Sequence, residues 1–246
     1  MMPLALFLTL AQQCAPAVAP ATMAAVVRVE SAFNQWAIGV VHGRLARQPR
    51  NFGEAHATVR ALEAAGWNYS AGLAQVNRSN WARLNLTPDT VFDPCSNLAA
   101  GAAILKECFA RAQRTRARRQ DALRAALSCY ASGDFSAGYR TGYVQRVVAN
   151  AANAAGALEA GPAVETAVGP GAVTGIVPGV VSGVVSGVVP AVEPDTPPIP
   201  VIAVDPARAP VITPRPAPSS SHRGGGRTDR LENPAGEAAR DSAVVF

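Results

Sequence analysis

The sequence predicts a mainly α-helical domain with one small β element over residues 1–155, followed by a low-complexity, disordered tail over 156–246. The first observation is where the bulky residues sit. Residues 1–150 hold all three Trp, all four Tyr, all four Cys and six of the seven Phe. A packed core needs such interdigitating side chains, and only this part supplies them. The second is the remainder, which carries fourteen of the twenty Pro and one aromatic, Phe246; it has too little to bury to offset its chain entropy. The third is periodicity: several stretches of the first part repeat apolar residues at helical spacing between cap signals, and only residues 36–52 break into short extended pieces.

The elements follow in order. Residues 3–11 (PLALFLTLA) are apolar like the centre of a secretory signal, yet no basic residue precedes them and no cleavage site follows. They are expected to form the first helix of the domain. A second helix starts after Pro20, with Thr22 as the expected N-cap, and runs through MAAVVRVESAF. Residues 36–52 read as a small hairpin region with Gly and Pro turns. A helix over 53–65 ends at Gly66, a residue suited to the position just past a helix end. After the segment WNYSAGLAQVNRSNW, Asp93-Pro94 opens a helix through NLAAGAAILKECFARA; another covers about 120–130 and ends at Gly133, and a short one begins near Thr141.

The tail contains a tetrad repeat over 175–194 (GIVP, GVVS, GVVS, GVVP, AVEP) and no charge between Glu165 and Glu193. Prolines at 170, 178 and 190 leave eleven proline-free residues, Gly179–Val189, short of the ~20 that a spanning helix needs. A flexible or elastin-like linker is expected rather than a membrane span. Residues 195–246, rich in Pro, Ser, Gly and Arg, are expected to be disordered.

The formal charge of +5 is almost all arginine, with Lys106 the only lysine. The densest run, Arg111, Arg114, Arg116, Arg118 and Arg119, reads as a solvated helix face or as a patch for an anionic polymer. No nucleic-acid fold signature accompanies it, so no nucleic-acid partner is expected. His42, His56 and His222 lack zinc-ligand spacing, no CxxC pair occurs, and neither metal nor cofactor is expected. Cys95 and Cys108 fall at opposite ends of one helix, about 20 Å apart at 1.5 Å per residue, beyond disulfide reach. If bridges form, Cys14 joins one of them and Cys129 the other; buried free thiols are the alternative in a reducing compartment.

One residue stands out chemically. Glu30 lies on the apolar stripe of Met23, Val26, Val27 and Phe33, where a carboxylate is expensive to bury. Desolvation there raises its pKa toward neutrality, and a carboxyl still protonated near pH 7 can donate a proton to a glycosidic oxygen. Position alone also admits a structural glutamate satisfied by a backbone or arginine partner. Glu54 and Glu63 read as surface charges on an amphipathic helix, and Asp93 as a cap.

The string Glu30-Ser31-Ala32-Phe33-Asn34, then Gly72-Leu73-Ala74-Gln75-Val76-Asn77, Asn97-Leu98-Ala99-Ala100-Gly101, Cys129-Tyr130-Ala131-Ser132-Gly133 and Tyr143-Val144 resembles the soluble lytic transglycosylases. It is most similar to the specialised members encoded with bacterial type IV secretion systems. The resemblance covers about residues 10–150 and implies a lysozyme-like α+β fold. It implies that Glu30 is the sole catalytic carboxylate and that Ser31 sits near the cleaved sugar. Gln75 and Asn77 are then placed along the glycan cleft, Tyr130 matches the substrate-binding tyrosine of the family's Ala-Tyr-Asn motif, and Tyr143 matches the later tyrosine near the carboxylate. The residue after the motif tyrosine is Ala131, where the family carries asparagine. The implied activity cleaves the bond between N-acetylmuramic acid and N-acetylglucosamine and closes a 1,6-anhydro ring. Its implied place is the periplasm, where it opens peptidoglycan for a secretion channel, with the tail recruiting secretion components. A muramidase using water, and a glycan-binding scaffold without catalysis, are the alternatives.

Overall fold

A computed structural model describes residues 2–159 and 196–204 of the chain. The apolar N-terminal stretch is a helix of the core: α1 (Leu4–Cys14) buries Phe7 and Ala11 completely. The next helix, α2 (Pro20–Ser31), begins one turn earlier than a Thr22 cap would place it. Ala19 is its N-cap, with no side-chain bond, and Pro20 takes the first turn. Proline's fixed φ and missing N–H suit that position, so no capping hydroxyl is required.

The β element differs from a local hairpin. Strands β1 (Ile38–Val40) and β2 (Gly43–Leu45) are successive, yet each pairs elsewhere. After α3 (Phe52–Ala64) come β3 (Tyr69–Ala71) and β4 (Val76–Asn77), giving an antiparallel sheet in the order β1-β3-β4 with Ile38 opposite Ala71 and Ala71 opposite Val76. Strands of three residues make poor isolated ribbons, and these find partners across the core instead.

The partner of β2 comes from the tail. Strand β5 (Val201–Ala203) lies antiparallel to β2, with Leu45 opposite Val201 and Gly43 opposite Ala203. Ala46 N donates to Pro200 O and Val204 N to His42 O, each at 2.9 Å. Ile199 is buried, and its amide donates to Thr58 Oγ1 at 2.9 Å. Residues 196–204 are therefore part of the folded domain, contrary to the disorder expected throughout 195–246. The run Ile199-Pro200-Val201-Ile202 is β-branched and apolar, and it satisfies an otherwise open strand edge. The tetrad repeat over 175–194 lies outside the described residues. Among the described residues no helix is long and apolar enough to cross a membrane.

Two 3₁₀ turns, Arg78–Asn80 and Ala82–Leu84, lead toward α4 (Pro94–Gln113). Asp93 caps α4 by accepting from Ser96 N at 2.7 Å, as its Asp-Pro start predicts. Helix α5 (Arg119–Ser132) ends at Gly133, whose φ of 72° gives the left-handed turn that glycine accommodates without strain. Helices α6 (Ala137–Arg140) and α7 (Tyr143–Glu159) complete the described order before β5.

Helix α2 is buried on two sides, which fixes the position of its last turn. Met23, Ala24 and Val27 join the larger core with α1 and the sheet; Ala25 and Val26 join a second core with Leu105, Leu127, Val144 and Val147 of α4, α5 and α7. Two disulfides tie the frame: Cys14 to Cys95, joining α1 to α4, and Cys108 to Cys129, joining α4 to α5. Of the two pairings open in the sequence this is the one formed, and the free-thiol alternative does not hold.

Candidate active site

A cleft of about 200 Å³ opens where the β4 turn region meets α2, α4, α5 and α7. Five of the six residues singled out in the sequence line it: Glu30, Gln75, Asn77, Tyr130 and Tyr143. Ser31 does not. It is buried, and its hydroxyl donates back to Val27 O at 3.2 Å, the usual resting place of a helical serine.

Glu30 reaches the cleft from the last turn of α2, only 5% exposed. The chain then leaves the helix through two successive left-handed residues, Ala32 (φ 50°) and Phe33 (φ 62°). Such conformations are costly for side-chain-bearing residues and are retained where the surroundings over-determine them. Phe33 is anchored edge-on against Phe7 at 5.0 Å. The Tyr143 phenol, from the first turn of α7, donates to Glu30 Oε1 at 2.5 Å. Burial raises the Glu30 pKa to about 7, against the Tyr143 hydrogen bond and the Arg146 charge, which both lower it. A carboxyl in that range can give up a proton and take one back near neutral pH.

The opposite wall is the loop Gly72–Gln75. Asn97, fully buried at the start of α4, holds it: Asn97 Oδ1 accepts from Ala74 N at 2.7 Å, while Nδ2 donates to Ala71 O at 3.0 Å and Val91 O at 2.8 Å. Tyr130 OH donates to Ala74 O at 2.5 Å, closing the same loop from α5. Gly101 makes this approach possible. A Cβ there would stand 2.6 Å from Ala74 Cβ and 3.1 Å from the Tyr130 oxygen.

Gln75 is left-handed (φ 47°), and its Nε2 donates to Ala37 O and Gly72 O, both at 2.9 Å. Those two bonds fix which end of the amide is which. Its Oε1 is buried and has no hydrogen-bond partner among the described residues, so the cleft wall presents an acceptor ready for a ligand donor. Asn77 is different. Its Nδ2 donates to Asn68 Oδ1 and Ser70 Oγ, and its Oδ1 accepts from Ser79 N and Oγ, so its amide braces the turn.

Sequence reasoning missed Arg83 and Glu107 on the cleft's charged rim, and it named Arg111 only as part of the arginine run without placing it there; all three line the cleft. Arg83 Nη1 lies 2.8 and 2.9 Å from the two Glu107 oxygens, bridging the second 3₁₀ turn to α4. Asn97 was visible as an amide inside an apolar helix start, but its three bonds span 6 to 26 residues and carry no local signature. Glu54 and Glu63 are indeed outside the cleft, paired with Arg47 and Arg78.

Comparison with known proteins places this geometry. Residues 7–152 match the family described as the Transglycosylase SLT domain. The chain is 55% identical over 151 residues to the type IV secretion system protein virB1 of Brucella abortus and to that of Brucella suis, covering 59% of this chain and 63% of each relative. It is 37% identical over 144 residues to protein virB1 of Agrobacterium fabrum, covering 57% of each chain. The match therefore spans less than two thirds of these relatives. No solved structure matches the chain.

Proposed function

The chain belongs to the Transglycosylase SLT domain family, and from that premise we propose that it is a lytic transglycosylase cutting peptidoglycan between N-acetylmuramic acid and N-acetylglucosamine. The observation that carries this is the buried Glu30 carboxyl, lifted to about 7 and held by Tyr143 on the wall of an open cleft. In the proposed reaction Glu30 gives its proton to the bridging oxygen as the muramyl C1–oxygen bond breaks. The muramyl N-acetyl group stabilises the cationic centre. The sugar's own 6-hydroxyl then bonds to C1, and its proton returns to Glu30. The product is a 1,6-anhydro ring, no water is consumed, and the carboxyl is restored.

One carboxyl suffices for this cycle, whereas a two-carboxylate hydrolase needs a second acid across the bond. The other cleft carboxylate, Glu107, is half-exposed and paired with Arg83 at 2.8 Å, which supports assigning it to the rim. We place the activity in the periplasm, in line with the two disulfides, which suit an oxidising compartment. There it opens the wall for a type IV secretion system, as the names of the virB1 relatives suggest. Recruitment of secretion components by the tail beyond the domain is part of the same proposal. Gln75, Asn77 and Tyr130 are proposed to support the glycan, with the free Gln75 Oε1 as the direct contact; Ser31, expected beside the cleaved sugar, is turned away from the cleft and has no such part.

Digestion of purified sacculi followed by mass analysis tests the reading. Muropeptides one water lighter than those of hydrolysis are expected. Reducing-end products carrying that water instead would assign a muramidase, and binding without release would assign a scaffold.

A further inference from the structure

We propose that Arg111 extends the cleft into a receptor for the carboxylates of the stem peptides borne on the glycan, so that the domain favours charged, peptide-bearing substrate. This rests on the glycan-cleaving reading and names a determinant of its specificity. Arg111 sits in the last turn of α4, exposed, and lines the same cleft as Glu30. Its guanidinium lies over the Phe135 ring at 5.2 Å, and Arg116 lies over the same ring at 5.1 Å. Arg119 stands over Phe109 at 5.8 Å. The arginine run is thus braced on aromatic rings, and Arg111 is the member that reaches the cleft.

The charges of this run lack counterparts. Arg47, Arg78 and Arg83 are in ion pairs, but among the described residues none of Arg111, Arg114, Arg116, Arg118 and Arg119 is. The one polar contact found for the Arg111 side chain is a long one, Nη1 to Cys129 Sγ at 3.9 Å. The nearby Asp134 is occupied, accepting from Ser136 N, Ser136 Oγ and Ala137 N. Stacking holds a guanidinium plane while leaving its N–H edge free, and that fork matches a carboxylate bidentately. Crowded like charges also favour a polyanionic partner over a neutral one.

The chemistry of the substrate supplies such groups. Each muramyl unit hangs a short peptide whose acidic side chains and C-terminus end in carboxylates, and the muramyl unit is the sugar that Glu30 attacks. Continuity between the arginine run and the cleft favours this ligand over an unrelated acidic surface.

The test measures kcat/KM on soluble glycan fragments with native stem peptides and on the same fragments after a carbodiimide and ammonia have converted the carboxylates to neutral amides. The wild type is expected to prefer the native fragments by about fivefold or more. Arg111→Gln should erase that preference by raising KM on native fragments, and Arg111→Lys, which keeps the charge, should retain part of it. Equal rates of the wild type on both substrates would overturn the inference while leaving the glycan-cleaving reading intact. So would a Gln variant that loses activity on both alike, or a Lys variant as indifferent as Gln. Cleavage of neither substrate by the wild type would remove the underlying reading itself.

Discussion

Tyr143 donates its phenolic hydrogen to Glu30 Oε1 at 2.5 Å across 113 residues of sequence, so the first turn of α7 tunes a carboxyl delivered by the last turn of α2. The bond stabilises the ionised form and so opposes the burial that lifts the pKa to about 7. Removing it with Tyr143→Phe therefore raises the Glu30 pKa further. The alkaline limb of the rate profile should move up by about one pH unit, with kcat falling roughly tenfold as the carboxyl loses its brace. A limb that stays put or moves to lower pH would contradict the arrangement.

The same burial makes stability depend on pH. Glu30 rises from an ordinary value of 4.5 to about 7 on folding. Between those values the folded state binds more protons than the unfolded one, so stability falls as pH rises from 4.5 through 7 and is level above. The full effect is about 3 kcal/mol. Glu30→Gln should accordingly melt higher than wild type at pH 8 and close to it at pH 4. A stabilisation of equal size at both pH values would disconnect it from ionisation.

Asn97 is a positioning residue for the Gln75 wall. Asn97→Ala removes three buried hydrogen bonds and leaves Ala74 N, Ala71 O and Val91 O without them. A loss of at least ~3 kcal/mol in chemical denaturation is expected, with a weakened grip on glycan read as a raised KM. An unchanged unfolding midpoint would show that the loop is held by other contacts.

The disulfides separate by loop length. Cys14–Cys95 closes 81 residues and Cys108–Cys129 closes 21. Chain entropy assigns about 4.5 kcal/mol to the first and about 3 kcal/mol to the second. Double serine replacements should follow that order in Tm. Only the second borders the cleft, so its loss should lower activity at temperatures where the protein remains folded. Activity lost with the first bridge and kept without the second would reverse the assignment.

The features legible in the sequence were local. Asp93-Pro94, Gly66 and Gly133 mark helix ends by their own backbone chemistry, and Glu30 declares itself by standing on an apolar stripe. Helix geometry alone narrowed the cysteine pairings to two, because Cys95 and Cys108 share α4. The features that were not legible are long-range. The Pro-rich composition around Ile199 hides a strand whose partner, β2, lies more than 150 residues earlier. The Arg83–Glu107 bridge and the reach of Arg111 into the cleft depend on how α4 passes the 3₁₀ turns, which no spacing encodes. Ser31 shows the converse: it comes directly after the key glutamate in sequence, but one residue along a helix turns the side chain by about 100°, here away from the cleft.

The proposed reaction has Glu30 alone carry the proton both ways. Its most direct measurement is release of 1,6-anhydro muropeptides from sacculi by the wild type and by Glu30→Gln, each verified as folded by its melting transition. A loss of at least about 100-fold with an unchanged fold is expected, since a glutamine can neither give nor take the proton. Anhydro-muropeptide release by the glutamine variant at the wild-type rate would contradict it.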